Sequence, residues 1–267
     1  MDVYSRVRSF KATGYQALAN DYFARAGVTD PIEKANYNSL FLELIAGGVD
    51  LNADFIYNFT AYNNTQAVTS LFNNFTATPV GLTGRFTPKV GVTFNGTGYL
   101  QSGYIPNTDK IHLSLNDASY GGKRMGANPT DYFLTLSAYN SNPNLLYDIL
   151  GWRGGAGGNY FYTGINSSSN GDTSSTITNA NSFISIQSCR TSNINIDFKY
   201  GTNVLSEPLT SSLLSPIQWY IGARNNIGTP DLFAENNTGL SHVYAGNSSL
   251  SKSVIDTAIS NFVNRMA

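Results

Sequence analysis

Cysteine is almost absent from this chain: Cys189 stands alone among 267 residues. A disulfide within the chain and a cysteine-rich metal site are therefore excluded, and the fold must hold by packing and hydrogen bonding. Charge is scarce as well. Asp, Glu, Lys and Arg together make 12% of the residues, about half the usual share of a soluble domain. Glutamate is confined to Glu33, Glu43, Glu207 and Glu235, and histidine to His112 and His242. No apolar run approaches the ~20 residues of a membrane-spanning helix. Residues 1–19 lack the apolar stretch of a secretory signal. These absences lead to the expectation of a chain able to fold in a reducing cytoplasm, with no membrane partner. The net charge is −1 and the pI about 6.1, without a basic stripe, so a nucleic-acid partner is not expected. Arg6, Arg8 and Lys11 form a small basic cluster that reads either as a solvated helix start or as an arm touching phosphate.

Neutral hydrogen-bonding groups fill the gap that charge leaves. Asn, Ser and Thr make up roughly a third of the chain, a strong compositional bias. Aromatics reach 13%, with 17 Tyr and 15 Phe. Such a surface suits packing against copies of itself or against sugars.

The patterning changes along the chain. Residues 1–75 read as mostly helical. Ala17, Leu18, Tyr22 and Phe23 fall at helical spacing, and Asp30-Pro31 followed by Glu33 is a helix-start signal. Tyr37, Leu40, Phe41, Leu44 and Ile45 then share one face until Gly47-Gly48, and Phe55, Ile56 and Tyr57 form a short apolar patch. From about residue 85 the period shortens to that of strands. The candidates are Val90–Phe94, Gly98–Ser102, Lys110–Leu115, Tyr132–Ala138, Leu145–Trp152, Tyr160–Thr163, Phe183–Gln187, Ile194–Tyr200, Trp219–Gly222 and Leu240–Tyr244. Turn signals such as Asn95-Gly96, Asn128-Pro129, Asn142-Pro143 and Asn170-Gly171 separate them. Many short strands so punctuated predict an antiparallel sandwich or jelly roll. Ser251 followed by the stripe Val254, Ile255, Ala258, Ile259, Phe262, Val263 and Met266 predicts a closing helix that packs on the sandwich. Gly151–Gly158 and Asn166–Ser182 read as loops.

The order of these motifs resembles a known family. Tyr22-Phe23-Ala24-Arg25, the helix from Asp30 and the patch Tyr57–Phe59 are similar to the helical leader before concanavalin-like domains of tailed-bacteriophage structural proteins. Gly98-Tyr99 and Gly103-Tyr104-Ile105-Pro106 resemble the strand–turn–strand that opens their sandwich. The segment WYIGARNNIG, followed by LSHVYAGNSSLSKSVIDTAISNFVNRM, looks like the laminin-G-like ending. The resemblance spans roughly residues 20–266. It implies a mainly β, concanavalin/LamG-like antiparallel sandwich, with a helical N-terminal segment over 1–80 for anchoring and assembly, and the sandwich with its C-terminal helix over 81–267.

Chemistry-bearing patterns are thin. The strand motif Glu-x-Asp-x-(x)-Glu that carries glycoside hydrolysis on related sandwiches is missing. No Gly-x-Ser-x-Gly elbow accompanies His112 or His242, both placed in candidate strands. Asp231 with Glu235 and Asn236 offers some oxygen ligands of the kind calcium takes, but no metal and no cofactor are expected. Sugar recognition needs aromatic faces beside amides. Trp152, Arg153, Asn159 and Tyr160 cluster in this way, as do Tyr120 and Tyr139 near Asn-rich turns. The first four are taken as the candidate ligand-binding residues, and no catalytic residue is assigned.

The expectation is a non-enzymatic virion structural protein: a capsid decoration, head fibre or tail component, assembled in the bacterial cytoplasm. It would act through other virion proteins and as a homo-oligomer. The alternative is a glycan-binding, lectin-like module of a tail fibre or baseplate that contacts host-surface sugar. A polysaccharide depolymerase stands third.

Overall fold

A computed structural model of the chain describes residues 3–126, 132–140, 146–153, 160–167, 171–173 and 185–266. The chain opens with helices α1 (Val3–Ala26) and α2 (Pro31–Ala46). Asp30 caps α2 as the sequence predicts, its carboxylate accepting from the amides of Ile32 (2.7 Å) and Glu33 (3.1 Å). The apolar patch that follows is not part of a helix. It forms strand β1 (Ala53–Asn58), and short α3 (Asn64–Val68) comes next. Then come β2 (Thr78–Val80), β3 (Phe86–Thr87), β4 (Gly91–Thr93), β5 (Tyr99–Gln101), α4 (Pro106–Asp109), β6 (Ala118–Gly126), β7 (Tyr132–Asn140), β8 (Leu146–Arg153), β9 (Tyr160–Ser167) and β10 (Gly171–Thr173). The chain closes with β11 (Ser185–Arg190), β12 (Ile196–Tyr200), β13 (Asn203–Glu207), β14 (Tyr220–Ile221), β15 (Arg224–Asn226), β16 (Thr229–Asp231), β17 (Thr238–Gly246) and α5 (Lys252–Arg265).

Two sheets face each other, so the fold is the predicted mainly β sandwich. The first has the order β13-β12-β11-β6-β17-β4-β3, with β1 also paired to β17. The second has the order β10-β9-β8-β7-β14-β5-β2, with the β15–β16 hairpin attached to β7. Among the described residues, pairing is antiparallel except between β15 and β7. Between the sheets lies a core centred on Phe55, Tyr104, Tyr120 and Trp219, with Leu136, Leu150, Ile186 and Val243 around it. A second core lies on the outer side of the first sheet. There Tyr22, Tyr37, Phe41, Leu44, Ile259 and Phe262 from α1, α2 and α5 pack against Ile56 and Tyr244. The result is three layers: helices, sheet, sheet. Each residue of β1 is buried because alternate side chains feed the two cores, Phe55 and Tyr57 the inner one and Ile56 the outer. Helix α5 follows its predicted stripe, capped by Ser251 and burying Ile255, Ala258, Ile259 and Phe262.

Two departures from the sequence reading have clear causes. The central strand β6 escapes prediction because its sequence, ASYGGKRMG, has little β-forming character. Its glycines are required by crowding rather than by propensity. A Cβ on Gly121 would sit 2.3 Å from the Tyr244 hydroxyl and 2.6 Å from the Ile186 carbonyl oxygen. Conversely, Lys110–Leu115 is not a strand, so His112 does not lie in one. The amides that a strand would have spent on a ladder are drawn to the buried carboxylate of Asp54. Its Oδ1 accepts from His112 (2.6 Å) and Leu113 (3.2 Å), and its Oδ2 from Ile111 (3.3 Å). The Tyr104 hydroxyl donates to the same Oδ2. The predicted loop Asn166–Ser182 also contains regular structure. Asn166 and Ser167 end β9, and β10 pairs with β9 through Gly171↔Thr163 and Thr173↔Phe161. The turns at Asn128-Pro129 and Asn142-Pro143 lie outside the described residues.

Replacing Asp54 by Ala would leave three amides and a phenol in the interior without an acceptor. We expect a loss of about 3–5 kcal/mol of unfolding free energy, measured by urea denaturation, and a smaller loss for Asp54→Asn, which keeps one acceptor.

Candidate functional site

A cluster of polar and aromatic groups stands at the surface where β15 and β16 meet the end of β7. Its sequence is Arg224-Asn225-Asn226-Ile227-Gly228-Thr229-Pro230-Asp231. A two-residue turn joins the strands, with Ile227 at φ 50° and Gly228 at φ 87°. Such turns match the twist of paired strands but favour Asn or Gly. A β-branched residue there is uncommon and costs about 1–2 kcal/mol. The surroundings enforce it. The Gly228 amide donates to Asn225 Oδ1 (2.6 Å), and Asn225 Nδ2 donates to the Gln218 carbonyl (2.7 Å). The Ile227 amide donates to the Tyr139 carbonyl at 3.3 Å. Ile227 is thereby held at the tip with 52% of its surface exposed.

Arg224 and Asp231 are direct cross-strand partners in this hairpin. Two parallel bonds join them, Nε to Oδ1 at 2.7 Å and Nη2 to Oδ2 at 2.8 Å. Asn226 Nδ2 donates to the same Oδ2 at 3.2 Å. The guanidinium lies over the Tyr139 ring, 4.7 Å from its centroid. Both charged side chains remain partly open, 20% for Arg224 and 34% for Asp231. Solvent screening leaves such a pair worth about 0–1 kcal/mol, and the cation–π contact adds about 0.5–1 kcal/mol. Alongside lies a smaller cluster of Tyr99, Tyr220 and Ala223, with Val80 and Phe233 packed against it, the Tyr99 and Tyr220 rings 4.7 Å apart. The site therefore offers an aromatic ring, an apolar tip, and donors and acceptors fixed in place. That combination can hold a hydroxylated, CH-rich ring.

The four residues singled out in the sequence lie elsewhere. Trp152 and Arg153 end β8 and Tyr160 begins β9, with Arg153 and Tyr160 as direct partners across the hairpin. Asn159 and the glycine-rich stretch 154–158 lie outside the described residues. Arg153 pairs with Tyr132 and Tyr147 with Tyr139, so the two places occupy opposite ends of β7. Seven residues at ~3.3 Å each separate them by about 23 Å, too far for one small ligand. Tyr120 does not join Tyr139 at the surface. It is buried against Trp219 and donates to the Gly164 carbonyl. The sequence flagged Tyr139 and Asp231 for separate reasons and missed Arg224. The usable signal was the polar turn segment from Arg224 to Asp231. The calcium idea fares differently, because Arg224 occupies both carboxylate oxygens of Asp231. Among the described residues no three His, Cys, Asp or Glu side chains come together as a metal-binding group.

Inside the sandwich one ionisable group, Asp148, is perturbed. Asp148, 1% exposed, accepts from the Asn166 amide (2.6 Å) and from Trp219 Nε1 (2.9 Å). Burial pushes its pKa up to about 6 against the lowering effect of these bonds and of nearby Arg190. Arg190 is itself held by the carbonyls of Ile165 (2.8 Å) and Leu209 (2.8 Å).

No protein-family model matches the chain. No curated protein matches it. Solved structures match in fold. One is Trypanosoma rangeli sialidase in complex with sialic acid, at 13% identity and a TM-score of 0.50, over 77% of this chain and 32% of that one. Another is the botulinum neurotoxin serotype D binding domain, at 9% identity and a TM-score of 0.50, over 79% and 52%. A more distant likeness is to mouse laminin alpha1 chain domains LG4-5, at 13% identity and a TM-score of 0.38, over 59% and 42%. The chain thus spans about a third of the sialidase and about half of the neurotoxin domain. At these identities the likeness is one of fold, and it bears on the sandwich rather than on a virion origin. It also corrects one expectation. The sandwich matches part of a sialidase as well as it matches a binding domain, so the assignment as a non-enzymatic protein does not stand.

The folded state holds the Asp148 proton more tightly than the unfolded chain, so the contribution of this proton to stability is full below about pH 3.8 and is lost as pH rises through about 6. Replacing Asp148 by Asn removes this dependence. The stability difference between wild type and Asp148→Asn, followed by urea denaturation from pH 4 to pH 7, should change by on the order of 3 kcal/mol, with wild type losing ground as pH rises.

Proposed function

We propose that this chain is a carbohydrate-binding sandwich module that engages a glycan through the surface at the β15–β16 hairpin. The observation that carries this reading is the Tyr139–Arg224–Asp231 stack, an aromatic ring and a bidentate ion pair fixed together at a partly open surface. Sugar rings present CH groups to aromatic and apolar faces and hydroxyls to fixed polar groups. Tyr139 and Ile227 supply the first kind of contact, and Asn226, Asp231 and Arg224 the second. The strained turn at Ile227 adds weight, because backbone strain tends to persist where a site needs a particular side chain in a particular place. The low overall charge agrees with recognition by neutral hydrogen bonds. The name of one matched structure, a sialidase in complex with sialic acid, is in keeping with a sugar ligand. The ends of β8 and β9, with Trp152, Arg153, Asn159 and Tyr160, form a second proposed contact for the same glycan.

A second reading is assembly into a virion as a homo-oligomer through the helical leader, as the sequence resemblance implies. The observation in its favour is apolar surface on and just after α2, with Ile32 72%, Leu42 46% and Leu51 70% exposed.

Retention on immobilised host-surface polysaccharide separates these proposals. Tyr139→Ala should weaken retention about tenfold or more, since stacking on one ring is worth on the order of 1–2 kcal/mol. Trp152→Ala should weaken it if the glycan extends along the sheet. Retention unchanged in both variants, with wild type bound, would refute the site. A wild type that binds no polysaccharide but forms a defined oligomer in light scattering, lost on Leu42→Asp, would favour the assembly reading.

A further inference from the structure

A pocket of about 240 Å³ lies between the first sheet and helix α5, remote from the β15–β16 surface in the layer order. A β-bulge builds it. The pairing of β17 with β6 slips between Leu240 and His242, so Ser241 is an extra residue in β17. Without the slip, alternation would send Ser241 and His242 to opposite faces of the sheet. With it, both line the same pocket. His242, fully buried, bridges the two walls. Its Nε2 lies 2.9 Å from Asp256 Oδ1 on α5, and its Nδ1 lies 2.9 Å from Ser241 Oγ. Burial alone would raise the Asp256 pKa, but the bond from His242 and the charges of His242 and Lys252 hold it below the ordinary carboxylate value. Asp256 is thus an ionised acceptor, and Nε2 carries a proton toward it. The floor is fixed before any ligand arrives.

The lining has three kinds of group. Lys89, exposed, and Lys123, half-buried, both line the pocket, and neither makes an ion pair among the described residues. Lys89 is held by the backbone at φ 65°, its amide bonded to the Thr60 carbonyl at 2.9 Å. Among the described residues no carboxylate lines the pocket, and Asp256, behind His242, is already committed to His242 at 2.9 Å and to Lys252 at 3.8 Å. Hydroxyl and amide groups from Ser241, Ser260 and Asn264 share the wall with apolar Ile259 and Val263. Two unpaired cations call for an anion. The remaining wall, part hydroxyl and part methyl, calls for a ligand body with both hydroxyl and CH faces, and the volume admits one ring.

We propose that this pocket binds a single sugar unit carrying a carboxylate, with Lys89 and Lys123 on the carboxylate and the Ser and Asn side chains on the ring hydroxyls. It is a second site, and it stands whether or not the hairpin surface binds glycan. Because the ligand would touch both β17 and α5, its binding would also clamp the helix to the sheet and raise thermal stability by mass action.

The test is calorimetric titration of the full chain with glucuronate, with glucose as the neutral counterpart and inorganic phosphate as the bare anion. Glucuronate should bind at least tenfold more tightly than either, and it should raise the melting temperature. Lys123→Gln and Lys89→Gln, each removing a charge at similar length, should each weaken glucuronate binding roughly tenfold, the loss of one charge-assisted hydrogen bond, without altering the melting temperature of the free protein. Equal binding of glucose and glucuronate would overturn the role of the lysines. Phosphate binding as tightly as glucuronate would overturn the sugar assignment, and no binding of any of the three would overturn the site. A glucuronate response that Tyr139→Ala abolishes and that Lys89→Gln and Lys123→Gln leave intact would place the binding at the hairpin and overturn this pocket.

Discussion

The carboxylate of Asp54 is the constraint on which the sandwich depends. It sits on β1 with no exposed surface, and it draws three successive amides of residues 111–113 and the Tyr104 hydroxyl to one point. An isolated buried carboxylate would be costly, and four donors make it tolerable. Tyr104 then carries the restraint into the core, its ring 5.1 Å from Phe55 and 5.3 Å from Trp219. Trp219 in turn donates to Asp148 of the opposite sheet. A chain of polar contacts thus runs from β1 in the first sheet to β8 in the second, through an aromatic core. With a single cysteine, the protein relies on such buried polar anchors where other small domains use covalent links.

The same anchors explain how the surface features are positioned. Asp148 and Trp219 fix the middle of the second sheet, and β7 runs from there to the edge where Tyr139 meets Arg224. On the opposite side of the molecule, β1 and β17 share one ladder, and the outward side chains of both face the helices. The bulge at Ser241 turns Ser241 and His242 to the same side of β17, and the pocket forms there. Both proposed sites lie where a regular strand pattern is broken, by a strained turn in one case and by an extra residue in the other.

The strands with β-branched and aromatic residues, β7, β8, β12 and β17, were legible in the sequence because their side chains fit a half-buried pleated surface. The caps at Asp30 and Ser251 were legible because the capping chemistry is local. What stayed hidden was set by distant contacts. β6 is a strand because its glycines fit under Tyr244 and beside Ile186, far away in the chain. Residues 111–113 leave the strand pattern because of an aspartate some 57 positions earlier. Arg224 becomes part of the proposed site only because a hairpin returns Asp231, seven positions on, to its side and a parallel pairing brings Tyr139 under it. Composition alone pointed to neutral, aromatic recognition, and it carried no information on which strand end would bring such groups together.

The claim at the centre of this account is that the protein holds sugar at the β15–β16 hairpin. Its most direct test is to follow the backbone amide resonances of the full chain while an oligosaccharide is titrated in. The account predicts shifts that saturate and that concentrate at Tyr139 and residues 224–231, with the amides of 111–113 unmoved around Asp54. Saturating shifts confined to other surfaces, or none at any concentration, would contradict it.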